Sequence, residues 1–105
     1  MHYTIAVEEE QNRIVLKGHF NVHANLDFRT SYRRALHGRR HDRLEVHMGE
    51  VEHIDTSGLG MLLLLHREAR EHGVEITLNE CPPKVKQMLK DACFDRLFAI
   101  RGKLQ

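Results

Sequence analysis

The chain has 105 residues, of which 41% are hydrophobic, 30% charged and 6% aromatic, and its 16 Lys and Arg against 15 Asp and Glu leave a formal charge of +1. That length suits one domain over residues 1–105, and the apolar content excludes a disordered chain of high net charge. The longest obvious apolar run, residues 61–65, falls short of the roughly 18 residues that cross a bilayer, and near-neutral charge argues against a general nucleic-acid binder.

Residues 3–7 (Tyr3-Thr4-Ile5-Ala6-Val7) alternate weakly and read as a strand, and no basic segment followed by an apolar stretch marks a secretory signal. A cytoplasmic location without membrane insertion is therefore expected. Residues 8–12 read as a polar turn, and 13–17 as a β-rich buried strand closed by Gly18, the two strands forming a hairpin. From Asn25 the spacing is helical, with Leu26, Phe28, Tyr32, Ala35 and Leu36 sharing a face and the arginines largely outward. Gly38 and the polar run to Asp42 end that helix.

Leu44, Val46 and Met48 alternate with Glu45 and His47 as a third strand. A helix follows through His72 and stops at Gly73, a left-handed cap. Val74, Ile76 and Leu78 mark a fourth strand. Pro82 and Pro83 open a helix carrying Val85, Met88, Leu89 and Ala92, since proline is tolerated in a first helical turn. Phe94, Leu97, Phe98 and Ile100 complete the core, with room for a short last strand. The order ββαβαβα(β) gives an α/β fold with a sheet of four or five strands, largely parallel beyond the hairpin.

Local rules are broken in Asp55-Thr56-Ser57-Gly58-Leu59-Gly60, where a strand hands over to a helix. Asp55 or Thr56 can cap the helix, yet Gly58 and Gly60 fall in its opening turns, where each costs about 1 kcal/mol relative to alanine. Bare backbone is needed there, either for a ligand or partner passing close or for tight packing of the helix start on the sheet. Met61, Leu62, Leu63, Leu64 and Leu65 then occupy every side of the helix. A helix on one face of a sheet buries only part of that circumference, so either neighbouring helices cover the remainder or some of these residues meet a partner.

This segment, following Val51-Glu52-His53-Ile54, resembles the signature of the STAS domain family, the anti-sigma factor antagonists of bacteria. The similarity runs through the hairpin, Gly18-His19-Phe20-Asn21 and the closing Cys93-Phe94-Asp95-Arg96-Leu97-Phe98. It implies a small mixed four- to five-stranded sheet with helices mainly on one face. It also implies a phosphorylation-controlled module whose unphosphorylated form binds an anti-sigma factor that is itself a GHKL-type serine/threonine kinase. A PP2C-type phosphatase would reset the switch. The phosphorylated position is Thr56, with Ser57 as the back-up acceptor. The partner-binding residues implied are Asn21, His23, Asp55, Gly58, Leu59, Gly60, Met61 and Leu64, and neutral Asn21 stands where the switch members commonly carry an acid. A second branch of the family is similar at Leu63-Leu64-Leu65-His66. That branch implies a subunit that binds the ATPase of a phospholipid-transporting ABC system.

Other signals carry less. Arg29, Arg33, Arg34, Arg39, Arg40 and Arg43 read as a solvated helix face and loop rather than a nucleic-acid patch, for want of interleaved aromatics or a known motif. His19/His23 and His37/His41 share a four-residue spacing, but no HExxH or cysteine cluster accompanies them, and no metal or cofactor is expected. Cys81 and Cys93 are too few for a disulfide framework and read as two partly buried thiols. No phosphate-cradling or GxSxG motif occurs, so a binding module is expected rather than an enzyme.

Overall fold

The computed structural model describes residues 6–10, 12–37 and 42–103. Strand β1 (Ala6–Glu10) and strand β2 (Arg13–Phe20) are antiparallel, with Ala6 opposite Lys17 and Glu10 opposite Arg13. Helix α1 (Asn25–His37) leads to β3 (Arg43–Ile54), α2 (Thr56–Glu71) to β4 (Glu75–Cys81), and α3 (Pro83–Asp91) to β5 (Ala99–Gly102). The strands lie in the order β1-β2-β3-β4-β5, and β2 to β5 are parallel neighbours.

That order dictates where the helices go. Each crossover steps one strand in the same direction, and β-α-β units are right-handed, so all three helices fall on one face. Leu44, Val46, Met48, Val51 and Ile54 of β3 are buried beneath them, whereas Glu45, His47 and Glu50 are half-buried or exposed on the other face. The helix-free face carries cross-strand charge pairs instead: Arg13 lies 3.9 Å from Glu45 and Lys17 3.9 Å from Glu50. His47 sits between Glu45 (3.0 Å) and Glu80 (3.1 Å).

The α/β class, the mixed sheet and the one-sided helices agree with expectation; several boundaries do not. The expected strand over 3–7 begins outside the described residues, and Glu8, Glu9 and Glu10, expected in a turn, continue β1. Strand β2 runs past Gly18, which takes φ 101°, and ends at Phe20. Strand β3 is twice interrupted in register against β2: Val15 pairs with His47 but Lys17 with Glu50, and Gly18 with Val51 but His19 with His53. Each shift inserts a residue into β3, and such bulges re-aim side chains. Strict alternation therefore fails after Met48, and Val51 and Ile54 turn into the core.

Leu26 was expected on the buried face of α1 but is 74% exposed. It precedes Phe28 by two residues, about 200° around the helix, while Phe28, Tyr32 and Leu36 recur at four-residue spacing and are buried. Leu97 is likewise outside the core at 38% exposure, and Ala92 is the exposed C-cap of α3. The cysteines differ from each other: Cys81 is buried, which pushes its thiol up to about 11, and Cys93 is exposed. Gly73, at φ 69°, closes α2 as expected, with the Val74 N–H donating to the Ala69 carbonyl.

Helices α1 and α2 run side by side and are tied by one carboxylate. The Tyr32 hydroxyl donates to Glu68 at 2.8 Å, and Arg33 Nε donates to the same group at 2.9 Å. The Arg33 and Tyr32 bonds hold Glu68 below the usual carboxylate range, while burial and the Glu68 carboxylate push the Tyr32 phenol up to about 12. A phenol raised from 10.0 to about 12 contributes stability in full below pH 10 and loses it as pH rises toward 12. Tyr32→Phe is expected to cost about 1 kcal/mol at neutral pH. Urea unfolding at pH 7 and pH 11 checks this, and the gap between the two proteins should narrow at the higher pH.

Candidate functional site

The site forms where β2 and β3 end together. Their last register pair is Phe20 and Ile54, so the segments that follow, 21–24 and 55–60, leave the same edge of the sheet. In open α/β sheets this carboxyl edge is where ligands and partners gather. Asn21 caps a 3₁₀ turn over Val22–Ala24, its side chain accepting from the His23 N–H at 3.0 Å. Asn21 thus organises the turn that leads into α1.

Asp55 is the cap of α2. It is extended at φ −102°, and its Oδ1 accepts from the Gly58 N–H at 2.9 Å. Thr56 and Ser57 are therefore the first two helical residues, both exposed, and their N–H groups precede any acceptor inside the helix. Aspartate at the cap also suits the positive end of the helix dipole.

The two glycines of this turn have different reasons for being there. A Cβ at Gly58 would lie 2.3 Å from the Phe20 carbonyl oxygen and 2.9 Å from Ile54 Cγ2. Gly58 lets the helix start press onto the end of β2, where Phe20 O also receives the Asp55 N–H at 3.4 Å. A Cβ at Gly60 would meet nothing within 4 Å. Packing thus explains the first glycine and leaves the second as open backbone on the surface.

Burial splits the apolar run in the same way. Met61, Leu62 and Leu65 are 6%, 0% and 0% exposed, whereas Leu63 and Leu64 are 45% and 36% exposed. At 100° per residue, Thr56, Gly60, Leu63 and Arg67 recur along one outward stripe, flanked by Ser57 and Leu64. Two members of the expected partner-contact set are buried in the chain itself: the Met61 side chain belongs to the core, and Gly58 is packed against β2. Asn21, His23, Asp55, Thr56, Ser57 and Gly60 are brought to one end of the sheet, with Leu59 partly buried and Leu64 one turn beyond.

Val22 (57% exposed) and Leu26 (74%) are exposed apolar side chains that the sequence reading assigned to no contact, whereas Leu63 belongs to the apolar run for which a partner was one of the two expectations. The helical angle of Leu26 relative to Phe28 was the available signal. Arg33 and Arg43 are paired with Glu68 and Glu75, and Arg39, Arg40 and His41 fall outside the described residues. His19 stands on β2 beside the His53 ring at 6.1 Å, and His37 meets His72 at 5.1 Å. Among the described residues no three His, Cys, Asp or Glu side chains gather to hold a metal ion, and no helix is long and apolar enough to cross a membrane.

Comparison with known proteins agrees with this layout. A family model described as "Mlab, STAS domain" matches residues 4–101. A STAS-domain containing protein of Pseudomonas aeruginosa (strain UCBPP-PA14) is 34% identical over 95 residues, covering 90% of this chain and 92% of the relative. An anti-sigma-factor antagonist (STAS) domain protein from Planctomyces limnophilus superposes with a TM-score of 0.72 at 14% identity, over 98% of this chain and 92% of its own. The phosphorylated form of the Bacillus cell fate determinant SpoIIAA superposes with a TM-score of 0.65 at 16% identity, over 91% and 89%. At such identities the structural likeness establishes the shared fold, and the family match with the 34% relative establishes descent: the chain belongs to the STAS domain family.

Proposed function

We propose that residues 1–105 act as one protein-binding module of a bacterial partner switch. The unphosphorylated form docks an anti-sigma factor or related GHKL-type kinase through the first half of α2. Phosphate on Thr56, with Ser57 as the back-up acceptor, releases it, and a PP2C-type phosphatase restores the docking form. The observation that carries this reading is the stripe itself. An exposed hydroxyl at the first helical position is followed by open backbone at Gly60 and by exposed Leu63 and Leu64. Apolar side chains in that setting are more useful against a partner than in water.

A second reading, docking to the ATPase of a phospholipid-transporting ABC system, uses the same face. It is favoured by neutral Asn21, by Leu63-Leu64-Leu65-His66, and by the description of the matching family model. Calorimetric titration with a GHKL-type anti-sigma kinase and with the ATPase of a phospholipid-transporting ABC system, each from the same organism, separates the two. Leu64→Asp is expected to weaken whichever binds by about tenfold, since it puts an unpaired charge at the centre of an apolar contact. Unchanged affinity for both would overturn the docking face.

A further inference from the structure

The outward stripe of α2 does not stop at the leucines. Its next positions are Arg67 and Arg70, both exposed, and neither has an ion-pair partner among the described residues. This contrasts with Arg13, Arg33 and Arg43, each within 4 Å of a glutamate. Arg70 lies in the last turn of α2, where the helix dipole favours a cation; Arg67 lies before that turn and lacks this reason. The two arginines, with His66 and Glu71, line a shallow depression of about 490 Å³. The His66 ring is held edge-on to Phe98 at 5.4 Å, so one wall of the depression is braced on the last buried aromatic of the chain.

The apolar pair and the cationic pair are three to seven residues apart, roughly 5–10 Å along the helix axis at 1.5 Å per residue. We infer that α2 docks a protein segment of matching two-part chemistry, an apolar stretch on Leu63 and Leu64 followed by carboxylate side chains on Arg67 and Arg70. Charge complementarity argues for that occupant: guanidinium groups pair well with carboxylates in fork geometry, and two arginines bordering an apolar patch steer an acidic surface onto it. The inference rests on the docking reading above and adds the acidic character of the partner.

The test is a titration at rising salt with the kinase or ATPase that binds the wild-type chain. The double variant Arg67→Glu/Arg70→Glu is expected to lose about tenfold in affinity at low salt, and its salt dependence should flatten. Arg67→Lys/Arg70→Lys should retain most of the wild-type salt dependence. Circular dichroism is expected to remain native, because both side chains are exposed. Unchanged affinity and salt slope in the glutamate variant, with Leu64→Asp still weakening binding, would overturn this inference and leave the docking face standing. If Leu64→Asp also had no effect, the docking reading would fail with it. Sedimentation with phosphatidylglycerol vesicles is the remaining arm: vesicle binding that the glutamate variant abolishes, with protein affinity untouched, would assign the arginines to a membrane surface and overturn the acidic-partner assignment.

Discussion

Gly58→Ala should destabilise the protein by about 2–3 kcal/mol, while Gly60→Ala, two residues on in the same helix, should stabilise it by up to about 1 kcal/mol. The new methyl at position 58 would lie 2.3 Å from the Phe20 carbonyl, a backbone atom that has no rotamer with which to withdraw. Ile54 Cγ2 at 2.9 Å and Phe20 Cδ2 at 3.1 Å close the other directions. The helix start must then lift away from β2, straining the Asp55 N–H bond to Phe20 O and disturbing the Phe20–Phe28 contact at 4.9 Å behind it. Alanine's better helix propensity recovers only about 1 kcal/mol of this. At position 60 the same methyl meets open space, so the propensity gain stands alone. Thermal unfolding followed by circular dichroism should separate the two variants clearly: a domain of this size shifts by roughly 4–8 °C per kcal/mol. A Gly58→Ala protein as stable as the wild type would show that the helix start is free to relax and that packing does not require the glycine.

The contrast also explains what sequence reasoning could and could not read. Two glycines at the head of a helix were legible as an anomaly, and so was the choice between packing and partner contact. Only the position of the Phe20 carbonyl assigns one cause to Gly58 and leaves Gly60 without it, and that carbonyl belongs to a strand 38 residues earlier in the chain. The parallel sheet beyond the hairpin follows from strands that alternate with helices, a pattern legible in the spacing of apolar residues; the one-sided helices were implied by the family resemblance, and the strand order exists only in the pairing. The course of β3 beyond Met48 is not local. Its two extra residues against β2 exist only in the pairing, so alternation read from β3 alone ends too soon. For Leu26 the reason is simpler: tolerance of a loose helical face let a residue about 200° from Phe28 pass as core, and the structure leaves it in solvent.

Thr56→Glu is expected to lower affinity for the docking partner by about a hundredfold while leaving the fold intact. Position 56 is the first helical residue of α2 and is exposed, so the longer side chain meets no neighbour that must move. Negative charge there is also compatible with the helix, because the free N–H groups and the dipole at an N-terminus stabilise anions. Folding therefore tolerates the substitution, and a phosphate as well. Binding does not, because the charge stands at the head of the stripe that includes Gly60, Leu63 and Leu64. A partner covering that stripe must strip water from the charge, at several kcal/mol if no cation compensates. Asp55 and Glu52 lie nearby in sequence, adding to the local negative potential. A phosphoryl group brings about −1.5 to −2 charges, enough to carry the formal +1 of the chain to roughly −1. The effect on the docking face is greater than that change in net charge, since it is concentrated at one helix end. Titration of the partner with Thr56→Glu and with Thr56→Val distinguishes charge from loss of the hydroxyl: the glutamate should abolish tight binding, and the valine, of nearly the same size, should retain it within a few-fold. Equal losses in both would make Thr56 a contact residue of the interface rather than its electrostatic control, and equal retention in both would remove Thr56 from the docking face altogether.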